Sequence, residues 1–147
     1  MTRNLFVLNG SNLNMLGVRE PERYGRATLD DVRADCERVA AELGIELFFA
    51  QSNAEHELVE WVHEAFRRHA AVVINPAGFS FGSMPLLDAL HMLSTPVVEV
   101  HITNIHARDA DHRHSIVSKV AHVVIAGAGT YGYELAIRAA DRLTAGE

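Results

Sequence analysis

With 147 residues, 48% of them hydrophobic, the chain has the length of one domain and the apolar content for a full core. A formal charge of −6 argues against nucleic acid as a partner, and the single cysteine, Cys36, excludes an internal disulfide framework or a Cys-rich zinc site. No apolar run approaches the ~20 residues of a membrane span and no signal-peptide pattern opens the chain, so one soluble, cytoplasmic domain over residues 1–147 is expected.

Five short runs rich in Val, Ile and Phe, without strict alternation, predict buried parallel strands: Asn4–Leu8, Ile45–Ala50, Ala71–Asn75, Pro96–Ile102 and His122–Ala126. Helical patterns lie between and after them. Thr28–Leu43 opens on a capping threonine with Asp31 three residues on, and Gly44 stops it. Asn53–His69 opens on Asn53 as a cap and carries Leu58, Val59, Trp61, Val62, Ala65 and Phe66 as an apolar face. Ser83–Leu93 is limited downstream by Pro96, and Tyr131–Leu143 closes the pattern. Strands alternating with helices predict an α/β, doubly wound, five-stranded parallel sheet in a three-layer sandwich. Right-handed crossovers bring every βα loop to one sheet edge.

Those loops hold the unusual residues. The stretch Asn9–Gly25 follows the first strand and lacks apolar periodicity, yet Leu13, Met15, Leu16 and Tyr24 give it groups to dock. It is expected to be an ordered loop at a strand's carboxyl end, where open α/β sheets keep their sites, finishing in a lid. Tyr24 has Arg19 and Arg23 nearby in sequence. A phenol is a poor base at neutral pH, and guanidinium charge favours its anion. The plainer reading is an aromatic plug with two solvated arginines.

Glu99 and His101 are two apart on a strand and so share a face. A carboxylate there fixes the imidazole tautomer and suits it to general-acid work, against the plainer reading of a structural pair at a strand end. His101, His106, His112 and His114, with Asp109 and Asp111, contain imidazole and carboxylate, but their spacing matches no familiar ligand signature. No metal is expected, and a solvated loop at a subunit contact accounts for them. Gly127-Ala128-Gly129-Thr130-Tyr131-Gly132 is a literal G-x-G-x-x-G, but no second strand follows it to complete a dinucleotide unit, so the glycines read as a tight turn. Asn75, at a strand end, is placed to read substrate hydroxyls. Ser83 caps a helix, and Asp88 lies five residues on, buried or facing the site. One lysine, Lys119, in a polar stretch, argues against Schiff-base chemistry.

Several motifs in order then resemble the type II 3-dehydroquinate dehydratase family. They are Asn9-Gly10-Ser11-Asn12-Leu13, Leu16-Gly17, Arg19-Glu20-Pro21, Tyr24-Gly25, Gln51-Ser52-Asn53 and Asn75-Pro76. Glu99 through Asn104, His106-Ala107-Arg108, Arg113-His114-Ser115 and Gly127 through Tyr133 complete the series. The resemblance implies a flavodoxin-like fold, trimers or dodecamers of one chain, no cofactor, and a cyclic hydroxy-keto acid as substrate. It implies anti elimination of water through an enolate. By position, Tyr24 removes the proton alpha to the ketone, Arg19 and Arg108 favour its anion, and Asn12 holds a water on the enolate oxygen. His101, oriented by Glu99, protonates the departing hydroxyl. Asn75, Asp88, and the backbone of Ile102 and Thr103 hold ring hydroxyls and carboxylate.

The chain departs from the family pattern at Ser11 (proline in the family), Phe81 (histidine), Leu87 (arginine), Asp111 (a large apolar residue) and His112 (arginine). Phe81 and His112 stand at substrate-contact positions. Losing a hydrogen-bonding partner for a substrate hydroxyl changes discrimination strongly. Three readings follow: a 3-dehydroquinate dehydratase with an altered pocket, a paralogue dehydrating another cyclic hydroxy-ketone, and a non-catalytic oligomeric binding protein. The retained Tyr24, Arg19, Arg108 and His101 speak against the third.

Overall fold

A computed structural model describes residues 3–146. Five parallel strands, β1 (Arg3–Ser11), β2 (Ile45–Gln51), β3 (Ala71–Ala77), β4 (Val97–His101) and β5 (Val123–Ala126), form one sheet in the order β2-β1-β3-β4-β5. This is the flavodoxin-like doubly wound order. The helices are α1 (Pro21–Tyr24), α2 (Leu29–Leu43), α3 (Glu55–Arg67), α4 (Met84–His91) and α5 (Tyr131–Thr144).

Strand periodicity explains the layers. Leu5, Val7, Val73, Val98 and Val100 point to one face, where Val32, Cys36 and Val39 of α2 meet Ala136, Ile137 and Ala140 of α5. Phe6, Leu8, Val72, Ile74 and Val97 point to the other, against Leu58 and Val62 of α3 and Leu86 and Leu90 of α4. A sheet covered on both faces needs apolar residues at consecutive positions, which is why its strands read as continuous runs. Cys36 is buried in the first layer, and burial pushes its thiol up to about 12, which removes it as a nucleophile at neutral pH. Among the described residues no helix is long and apolar enough to cross a membrane.

Local signals set most boundaries. Thr28 and Asp31 form a reciprocal capping box on α2, and Gly44 ends that helix at φ 68°. Three expectations need correction. The first strand continues through Asn9, Gly10 and Ser11, because β3 pairs with it as far as Ser11–Ala77. The lid region contains the short helix α1, with Pro21 at its first position. Asn53 does not cap α3; Ala54 does, and the Asn53 side chain instead accepts the Asn12 backbone N–H at 2.8 Å.

His69 ends α3 in a left-handed conformation (φ 55°), with its own N–H on Phe66 O at 3.2 Å and the Ala70 N–H on Ala65 O at 2.9 Å. That is a Schellman end with histidine where glycine is favoured. Relief of the Cβ strain predicts that His69→Gly stabilises the fold by about 0.5–1 kcal/mol, a rise in Tm of roughly 1–3 °C by calorimetry.

Candidate active site

The pairing of β3 with β4 stops at Ile74–Glu99, whereas β1 and β3 continue to Ser11–Ala77. Past Glu99 the two strands separate, and a cavity of about 200 Å³ occupies the split at their carboxyl ends. That is below the ~300–1,000 Å³ usual for drug-sized ligands and suits a small metabolite. A larger cleft of about 360 Å³ lies at the opposite end, by Arg3, Arg68 and Thr95. Its arginines are already ion-paired, Arg3 with Asp141 and Arg68 with Glu64.

The first loop forms one wall. Asn12 sits at φ 69°, a conformation asparagine tolerates, with its N–H held by Asn53 and the neighbouring Gly10 carbonyl held by Gln51 Nε2 at 3.2 Å. Helix α1 presents Tyr24, half-buried. Arg108 Nη1 donates to the Tyr24 hydroxyl at 3.2 Å, and the Arg19 guanidinium lies 5.3 Å from the ring centre. Arg23, adjacent in sequence, turns to Glu20 instead. The cation on the phenol oxygen therefore comes from 84 residues away.

The facing wall is the end of β4. Glu99 is 0% exposed and His101 5%, on the same side of the strand, with Glu99 Oε2 and His101 Nε2 2.5 Å apart. Ser118, from a single 3-10 turn over Ile116–Lys119, donates to the other carboxylate oxygen at 2.5 Å. Burial opposes charge on Glu99, yet hydrogen bonds from His101 and Ser118 hold its carboxyl below the usual carboxylate range. An ionised Glu99 accepts the Nε2 proton and thereby selects the imidazole tautomer.

Asn75 closes the floor through a buried chain of hydrogen bonds whose direction is set from both ends. Asn9 Nδ2 donates to the Ala50 carbonyl at 3.0 Å, so Asn9 Oδ1 faces Tyr133 and accepts its hydroxyl proton at 2.7 Å. The Tyr133 oxygen accepts from Asn75 Nδ2 at 3.0 Å, and Asn75 Oδ1 accepts from the Ala77 N–H at 3.2 Å. Asn75 keeps one amide N–H for the cavity it lines, so it is a donor there. Burial pushes the Tyr133 phenol well above its ordinary value, which keeps it a neutral donor. Tyr133→Phe leaves Asn9 Oδ1 and an Asn75 N–H unpartnered. A loss of about 1–3 kcal/mol for each such group is expected in urea denaturation.

Phe81, from the 3-10 turn Gly78–Phe81, meets His112 edge-on at 5.1 Å between ring centres, and His112 Nδ1 pairs with Asp109 Oδ1 at 2.6 Å. The His112 hydrogen bond holds the Asp109 carboxyl below the usual range.

The cavity is thus lined by Asn12, Arg19, Tyr24, Asn75, Phe81, His101, Ile102, Thr103, Arg108 and His112, with Glu99 behind His101. Asp88 is a correction: it is exposed and does not line this cavity, because the inward face of α4 is formed by Leu86, Leu87, Ala89 and Leu90. Tyr133, Asn9 and Ser118 were given no role by sequence reading; Asn9 and Tyr133 stand in the first and last of the motifs named above, and Ser118 stands in none.

The model of class II dehydroquinases matches residues 3–141. The chain belongs to the class II dehydroquinase family. It is 54% identical to the 3-dehydroquinate dehydratase 2 of Agrobacterium fabrum over 90% of each chain, and 51% identical to that organism's 3-dehydroquinate dehydratase 1 over 99% of this chain and all of the relative. The crystal structure of a type II dehydroquinase from Propionibacterium acnes superposes with a TM-score of 0.92 at 42% identity, over 97% of this chain and 98% of that one. Membership of this family implies a small-molecule substrate.

Proposed function

We propose that the chain is a hydro-lyase that converts 3-dehydroquinate to 3-dehydroshikimate. The observation that carries the reading is a phenol under an arginine on one wall of a small cavity, with a carboxylate-backed histidine on the other. Tyr24 takes the proton alpha to the ketone, and the electron pair moves into an enolate. Asn12 steadies the enolate oxygen through a water. The enolate then expels the hydroxyl group, which leaves as water with a proton from His101. Arg19 and Arg108 stabilise the phenolate, and Asn75, Ile102 and Thr103 hold the substrate's hydroxyls and carboxylate. Atoms and electrons balance with no redox partner. The test is ultraviolet detection of the conjugated enone when purified protein meets 3-dehydroquinate; absence of signal from folded protein would overturn the reading.

The Phe81–His112 contact favours a second reading, a related cyclic hydroxy-ketone as substrate. Both rings face the cavity, and an apolar ring offers no partner to a hydroxyl. Under that reading Phe81→His with His112→Arg raises kcat/KM on 3-dehydroquinate by about tenfold, the worth of one recovered hydrogen bond. No gain counts against it.

A homo-oligomer, trimer or dodecamer, completes the proposal. An exposed Asp88 reaches a substrate only if a second copy supplies it. Sedimentation of a monomer at assay concentration would remove that role.

A further inference from the structure

Among the motifs to which the reaction gives no task is the turn after β5. Gly127 and Gly129 sit there at φ 92° and 65°. The pairing of β4 with β5 ends at His101–Ala126, but the Gly127 N–H goes on to the His101 carbonyl at 3.3 Å and the Gly129 N–H to the Ile102 carbonyl at 3.0 Å. In a trans peptide the C=O and the following N–H point in opposite directions. Drawing both carbonyls toward the turn therefore aims the N–H groups of Ile102 and Thr103 away from it. Both of those residues line the cavity, and neither glycine does. Among the described residues neither N–H donates to a backbone or side-chain acceptor, and β3 has already separated from β4 at Glu99. Two adjacent N–H groups aimed to one side form an anion-binding nest.

We propose that the Gly127–Gly129 turn is a positioning element for the Ile102 and Thr103 amides, to which the dehydratase reading already gives the substrate's carboxylate. The proposal rests on the dehydratase reading for its substrate. It assigns Gly129, which touches no substrate, control over affinity for the anionic group. Positive φ is what demands glycine. A Cβ at Gly129 would meet nothing within 4 Å, so alanine fits and is opposed only by its backbone preference. Gly44 is a matched control, with φ 68°, nothing within 4 Å of its Cβ, and a place at the end of α2 outside the cavity lining.

The experiment compares Gly129→Ala, Gly44→Ala and wild type on 3-dehydroquinate and on its carboxamide. Both variants are expected to lose similar stability in urea. Gly129→Ala should raise KM about tenfold, hold kcat within about threefold, and cut the preference for acid over amide about tenfold, the worth of one charge-assisted hydrogen bond. Gly44→Ala should leave these quantities at wild-type values. A Gly129→Ala enzyme that keeps the wild-type acid-over-amide preference would overturn the proposal, as would an equal KM change in Gly44→Ala. Calorimetric binding of quinate against quinamide makes the same comparison without turnover. A wild type that binds the acid selectively but is inactive would sink the dehydratase reading alone, whereas loss of acid selectivity confined to Gly129→Ala supports the receptor in either case.

Discussion

Tyr24→Phe is expected to lower kcat on 3-dehydroquinate by about 10²–10⁴-fold, the range for removing a positioned general base, with KM and Tm close to wild type. The ring is half-buried and packs against the apolar layer under α2 and α5, so phenylalanine preserves the packing and removes only the oxygen. That oxygen is the atom Arg108 reaches at 3.2 Å. Two guanidinium groups surround this ring, with Arg19 at 5.3 Å and Arg108 at 6.0 Å from its centre. Enone absorbance in single-turnover mode measures the step directly. Turnover within threefold of wild type would place the base elsewhere.

Glu99→Gln is expected to combine a kinetic and a thermodynamic effect. The amide keeps the shape of the carboxylate but can present N–H as well as C=O to His101, so the imidazole tautomer is no longer imposed. Losing tautomer control over a catalytic histidine costs on the order of 10²–10⁴-fold in kcat. The stability effect has a defined sign. The folded carboxyl lies below its ordinary range, so the native state binds fewer protons at this group than the unfolded chain. Its contribution is fully present above the ordinary glutamate value of about 4.3 and fades as pH falls through the lower folded value. The variant should be less stable than wild type by about 1.5–3 kcal/mol at neutral pH, with the gap closing below about pH 4. Urea denaturation across that range checks it. A gap independent of pH would mean that Glu99 acts through packing alone.

Features set by neighbours in sequence were legible in the chain. The Thr28–Asp31 box and the Gly44 stop rest on positions a few residues apart, and the sharing of a face by Glu99 and His101 follows from the two-residue period of a strand. The strand–helix alternation, and with it the sheet edge that gathers the loops, came from the same kind of local pattern. Tertiary structure alone decided which groups meet. Arg108 rather than Arg23 reaches Tyr24, across 84 residues; Tyr133 joins Asn75 across 58 and Asn9 across 124. Asn53 anchors the first loop instead of capping its own helix, and Asp88 faces solvent because the helix turns Leu86, Leu87 and Leu90 to the core. Periodicity states which face a residue occupies. Which partner waits on that face depends on how the sheet orders its strands and where they part, and that is a property of the whole fold.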